Sequence, residues 1–197
     1  MRKQSLPLIF ILLIIMALLP LKNTVAQEKK PKKLKTVEFL SGFGWGKLRA
    51  KDNYNIIPLL ISFDFDLKPL LNRAKLNPSL PLELQLEPYL SLVTSPDSNI
   101  EGGASIFVKV GLLPENSRIQ PYFKIGAGLN YMTQHTFEQS TQCNFNEQAG
   151  IGMHYYLRPN TALTIEGRYR HLSNAGIDHP NQGIDTAFTL IGIKTEF

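Results

Sequence analysis

Three residues near the end of the chain have the types and spacing for hydrolytic chemistry: His171, Ser173 and Asp185. A serine hydroxyl is a weak nucleophile until a neighbouring imidazole takes its proton. A carboxylate that accepts the other imidazole N–H fixes the tautomer and stabilises the imidazolium. His171 and Ser173 are spaced i, i+2, which puts them side by side if the segment is a strand. His-x-Ser alone is a weak signal, and polar residues at the end of a strand are ordinarily just solvated. What the three residues can do depends on the elements that hold them.

Those elements read as strands. Eight segments alternate with a period of two and are separated by turn signals: Val37 to Leu48, Tyr54 to Phe65, Leu82 to Val93, Gly102 to Leu113, Arg118 to Met132, Gln148 to Leu157, Ala162 to Ser173 and Thr186 to Phe197. In the third, Leu82, Leu84, Leu86 and Leu90 oppose Glu83, Gln85, Glu87 and Tyr89. In the fourth, Ala104, Ile106, Val108, Val110 and Leu112 oppose Ser105, Lys109 and Gly111. A soluble sandwich is the competing all-β solution, with the apolar face inward. The segments are long for a sandwich, where about 5–6 residues is usual. Trp45, Tyr131 and Tyr155 fall near strand ends, as in an interfacial belt. Phe197 ends an alternating strand, which resembles the terminal signal of outer-membrane barrels. The expectation is an all-β fold: an eight-stranded antiparallel transmembrane β-barrel over residues 37–197.

An even strand count puts both termini on the inner side. Residues 49–53, 94–101, 133–147 and 174–185 then become outer loops, and 113–117 and 158–161 short inner turns. The inner connection Asp66 to Pro81 is long. Leu67, Leu70, Leu71 and Ala74 have helical spacing there, which predicts a short amphipathic helix against the barrel base or inner rim. Glu83, Glu87, Lys109, Lys124, Glu166, Arg168 and Arg170 fall on the interior face. A barrel of this size is filled by side chains and buried charges need partners, so the expectation is an internal salt-bridge network rather than a pore.

The end of the seventh strand departs from the rule. Leu163, Ile165, Gly167 and Tyr169 mark its lipid face, and counting on by twos gives His171 and Ser173. Counting back along the eighth from Ala187 reaches Asp185. All three lie at the outer ends of neighbouring strands on the membrane-facing side. Residues on adjacent strands come within about 5 Å between Cβ atoms, so Asp185 can reach His171. Gly176, Pro180, Asn181 and Gly183 are turn formers that shape the connecting loop. Asp178 and His179 read as solvated loop residues.

The run His171-Leu172-Ser173-Asn174-Ala175-Gly176, then Pro180-Asn181-Gln182-Gly183-Ile184-Asp185, closely resembles the signature of the PagL-type lipid A 3-O-deacylases. The preceding Arg168-Tyr169-Arg170 also looks like that family. The resemblance implies Ser173 as nucleophile, His171 as general base and Asp185 as orienting acid. It further implies an oxyanion hole supported by the Asn174 backbone N–H, with Gly176 as a second donor. The family's acid is Glu, one methylene longer than Asp185. The implied activity is that of an outer-membrane serine esterase. It removes an ester-linked acyl chain, the 3-O hydroxyacyl chain, from lipid A of lipopolysaccharide, with no cofactor. The implied partners are lipid A and the outer membrane, and a homodimer is compatible with it. The rival reading is a non-enzymatic barrel for adhesion or membrane integrity, built around the outer loop 133–147. A phospholipase barrel is less favoured, because no calcium-ligand cluster is seen.

The N-terminus bears on compartment. Arg2 and Lys3 precede an uncharged apolar run from Leu6 to Leu21, and Thr24-Val25-Ala26 precedes Gln27. That order is a secretory signal peptide, expected over residues 1–26, followed by a basic leader over 27–36. The formal net charge of +5 owes much to that leader, and in an exported chain it reads as a solvated segment rather than a nucleic-acid site. Cys143 is the only cysteine and is given no role. No metal-ligand spacing is present.

Overall fold

The computed structural model describes residues 34–49, 53–76, 78–115 and 117–197. The expected signal peptide and most of the basic leader lie outside the described residues. Eight strands follow one another: β1 (Thr36–Gly46), β2 (Tyr54–Asp66), β3 (Leu82–Ser95), β4 (Asn99–Gly111), β5 (Ile119–Met132), β6 (Cys143–Arg158), β7 (Thr161–Ser173) and β8 (Ile184–Glu196). Each pairs with the next, and β1 pairs antiparallel with β8 to close the barrel. At about 3.4 Å per residue, the 13 residues of β7 extend about 44 Å. At the tilt of about 40° usual in such barrels they rise about 34 Å, enough to cross a hydrocarbon core of about 30 Å.

Alternation runs as the sequence leads one to expect. Phe39, Phe43, Trp45, Leu59, Ile106, Ile125, Ile151, Ile165, Ile191 and Ile193 are exposed, while Glu87, Ser105, Lys124, Glu166 and Arg168 are buried. A monomer in water does not expose apolar surface on this scale; a barrel in lipid does.

Several boundaries differ from the expectation, among them the starts of three strands by two residues or more. β6 starts at Cys143, five residues before Gln148, so the outer loop is 133–142 rather than 133–147. Asn144 and Asn146 are buried and Phe145 is exposed there, so the alternation continues with polar groups inside, and composition alone reads that as loop. β4 begins at Asn99 rather than Gly102, and β8 at Ile184 rather than Thr186. Helix α1 (Lys68–Arg73) exists where its periodicity predicts, with Pro69 in its first turn, but it buries none of its residues. It does not pack into the barrel base. An ion pair of Lys68 with Glu115 at 3.2 Å and the Leu67 N–H to the Leu82 carbonyl tie it to the rim.

The interior carries the expected ion network. Arg168 grips both carboxylate oxygens of Glu87 and donates from Nε to Glu166 at 2.6 Å. Lys124 lies 3.3 Å from Glu87 and 3.0 Å from Glu166, and the Tyr122 hydroxyl donates to Glu166 at 2.6 Å. Arg170 pairs with Glu101, which also accepts from Tyr54. Lys109 pairs with Asp64 and Glu83. Asp64 and Glu101 are members the alternation did not single out. An apolar cluster shares the interior with these charges: Leu40, Tyr54, Ile56, Val93, Met132, Leu172, Ile184 and Leu190 among others. It gives the outer ends of β7 and β8 a packed base.

Removing one partner of a buried charge pair leaves the other uncompensated, at about 3–5 kcal/mol. Glu87 faces both Arg168 and Lys124. Glu87→Ala is therefore expected to lower the urea midpoint for unfolding in lipid vesicles. The check is the mobility difference between folded and boiled protein on gels, which the wild-type barrel should show.

Candidate active site

The register of β7 against β8 sets Cα partners Tyr169 with Ala187, His171 with Asp185 and Leu172 with Ile184. Leu172 and Ile184 point inward and are wholly buried, so their neighbours His171, Ser173 and Asp185 point outward. His171 Nδ1 lies 2.7 Å from Asp185 Oδ1. With Nδ1–H donating to the carboxylate, Nε2 keeps the lone pair a general base needs. The shorter side chain of Asp185 reaches because it sits directly across the strand pair. Ser173 is two residues farther along the same face of β7, half-buried at the rim. The His171 and Asp185 side chains are 41% and 59% exposed, so the pair lines an open wall of the barrel, not its interior.

A further acid completes the row. In the β6–β7 register Glu147 is the Cα partner of His171, and Phe145 that of Ser173. His171 therefore stands between Asp185 on one side and Glu147 on the other. The Oε2 of Glu147 is buried without a hydrogen-bond partner. Sequence reasoning missed it because β6 was begun at Gln148. The signal that could have found it is the parity of Phe145 and Glu147 with Ala149 and Ile151.

The loop between β7 and β8 is organised by Asn174, which is buried. Its amide nitrogen donates to Ser140 Oγ at 3.1 Å and to the Asp178 carbonyl at 2.9 Å. Its amide oxygen accepts from the Gly176 N–H at 2.9 Å, and its own backbone N–H donates to Asn181 Oδ1 at 3.0 Å. The two N–H groups expected at an oxyanion hole, those of Asn174 and Gly176, are thus both engaged here with side-chain amide oxygens. Ala175 and Gly176 have φ of 55° and 76°, which turns the chain sharply after Ser173. The β5–β6 loop clamps this one: Ser140 N–H bonds the Pro180 carbonyl, Gln182 N–H bonds the Glu138 carbonyl, and Gln139 bridges Asn181. Asp178 and His179 are exposed, in keeping with solvated loop residues.

Gly183 does more than turn the chain. Its φ is 75°, and a Cβ there would lie 2.4 Å from His171 Cε1. The bare backbone of Gly183 lies against the imidazole, as only glycine can. Among the described residues no cluster of His, Cys, Asp and Glu could hold a metal ion.

The family model for lipid A 3-O-deacylase (PagL) matches residues 60–194. No curated protein matches the chain. The crystal structure of the outer membrane enzyme PagL is similar at 16% identity and a TM-score of 0.56, covering 80% of this chain and 97% of that one. That of Neisserial surface protein A is similar at 14% identity and a TM-score of 0.57, covering 82% of this chain and 96% of that one. At such identities the structures speak for the fold, that of outer-membrane barrels.

Because the imidazole rests on the Gly183 backbone, Gly183→Ala strains φ and displaces the ring. The expected outcome is a barrel that folds normally by gel shift but hydrolyses ester about a hundredfold more slowly, since about 1 Å of misplacement has that effect.

The family match spans two-thirds of the sequence, includes the His171–Asp185 hairpin, and sits on an eight-stranded outer-membrane barrel, so the chain belongs to the PagL family of lipid A 3-O-deacylases and is an ester hydrolase of the outer membrane.

Proposed function

We propose that this protein removes one acyl chain from lipid A, the 3-O hydroxyacyl chain, through a triad of Ser173, His171 and Asp185 at the outer, membrane-facing rim of β7 and β8. The observation that carries the reading is the 2.7 Å contact of His171 with Asp185, on the same outward face as Ser173. Nucleophile, base and acid share one face of one hairpin.

In the proposed reaction Ser173 Oγ attacks the ester carbonyl while His171 Nε2 takes its proton. Asp185 holds the tautomer and stabilises the imidazolium. The tetrahedral intermediate collapses when the sugar hydroxyl leaves with the proton from His171. Water, deprotonated by His171, then cleaves the acyl-enzyme and releases the fatty acid. An oxyanion is a stronger acceptor than an amide oxygen, so it would displace Asn181 Oδ1 from the Asn174 N–H and Asn174 Oδ1 from the Gly176 N–H.

Ser173→Ala should fold as the wild type and lose hydrolysis, and His171→Ala should do the same. The double variant should be little worse than either, because residues acting as a unit are not additive. Leu172→Ala, on the interior face, should cost packing without abolishing turnover. Asp185→Asn should lower the rate by orders of magnitude, whereas Asp185→Glu should remain active. The measurement is lipid A mass after incubation with each purified variant in detergent micelles. A folded Ser173→Ala protein that deacylated at the wild-type rate would remove the serine from the mechanism.

A further inference from the structure

The row that holds His171 and Asp185 continues onto β1. Gly46 is the Cα partner of Thr186, so the next residue, Lys47, comes level with Asp185. The two chains are still in contact there: a Cβ on Gly46 would lie 2.3 Å from the Asp185 carbonyl oxygen. Parity also persists beyond the strand. Leu48 is buried in the apolar cluster, whereas Lys47 is exposed on the same side as Phe43 and Trp45. The rim facing the membrane thus reads, from strand to strand, Lys47, Asp185, His171, Glu147. Two interstrand steps of about 4.8 Å put the Lys47 backbone about 10 Å from that of His171, and the four-carbon stem can bring the ammonium nearer. Lys47 makes no ion pair among the described residues. It is a cation at the level of lipid headgroups beside a site whose other charges are acids.

We infer that Lys47 binds a phosphate group of the phosphorylated glycolipid whose ester is cut, and so holds that lipid at the rim beside Ser173. The inference rests on the esterase reading above. The substrate of a lipid A deacylase carries phosphate monoesters on its sugars, and the acids in the row would repel them. Among the described residues of this row, Lys47 supplies the opposite charge. It touches the phosphate and not the reacting carbonyl, so its contribution is to binding: uniform binding of ground and transition states changes KM and leaves kcat nearly unchanged. Trp45, one step nearer the bilayer centre on the same face, would border the sugar or the start of an acyl chain.

The experiment compares wild type, Lys47→Ala and Lys47→Arg on phosphorylated and dephosphorylated lipid A, each diluted in neutral detergent micelles. Lys47→Ala should raise KM for the phosphorylated substrate about tenfold or more, in line with the loss of one charged contact, with kcat altered less than about twofold. Lys47→Arg should retain most of the wild-type KM, and added salt should shrink the difference between wild type and Lys47→Ala. On dephosphorylated lipid A the three proteins should be alike. An unchanged KM for Lys47→Ala, or an equal loss on both substrates, overturns the inference. In a third arm, dephosphorylated substrate is mixed with an ether-linked phosphatidic acid. A Lys47 effect that appears only there would assign the phosphate to a neighbouring lipid and overturn the substrate contact. Binding of both lipids is also measured with Ser173→Ala, alone and combined with Lys47→Ala. That readout needs no turnover, so failure of the esterase reading and failure of the Lys47 contact give different results.

Discussion

A slip of β7 by one residue would turn Arg168 and Arg170 out into hydrocarbon and draw His171 and Ser173 inside, because the side-chain period of a strand is two. The interior ion network forbids that slip. Arg168 is held by Glu87 and Glu166, and Arg170 by Glu101. These acids stand on β3, β7 and β4, so the facing of β7 is pinned from across the barrel. Arginine facing lipid at mid-depth costs about 2–4 kcal/mol, and turning both out would also strip Glu87 and Glu101 of their arginines. The same pairs that fill the interior therefore decide which residues the outer wall presents at its rim.

At the outer ends of β7 and β8 the apolar cluster adds its own constraint. Leu172 and Ile184 are buried between the outward-facing residues of the site. They fix the last turn of backbone before the loop from inside, while Asn174 and the β5–β6 loop fix it from above. His171 is thus held by its strand, by Asp185 and by the Gly183 backbone. Such preorganisation is what the proposed role of His171 as general base requires.

Much of this was legible in the sequence because a barrel in lipid repeats one rule. Eight alternating segments, the interior positions of Arg168, Arg170, Glu83 and Glu87, and the outward parity of His171, Ser173 and Asp185 all follow from a period of two. The start of β6 was not legible, because Asn144, Asn146 and Gln148 face a polar interior and look like loop, and Glu147 was lost with it. Nor were the partners of the Asn174 and Gly176 N–H groups, which the turns within the β7–β8 loop bring together. Asp64 and Glu101 escaped notice because each sits near a strand end, where alternation is least informative. Helix α1 was found from its spacing, but spacing does not say whether the apolar stripe has anything to pack on.

The His171–Asp185 pair opens sideways from the wall of the barrel rather than up into water. A group so placed meets its partners by diffusion in a plane. The quantity that governs encounter is then the mole fraction of the target lipid in the leaflet, not its concentration in bulk. Residence at the rim is shared with every neighbouring lipid, and what leaves the wall spreads into the same leaflet it came from.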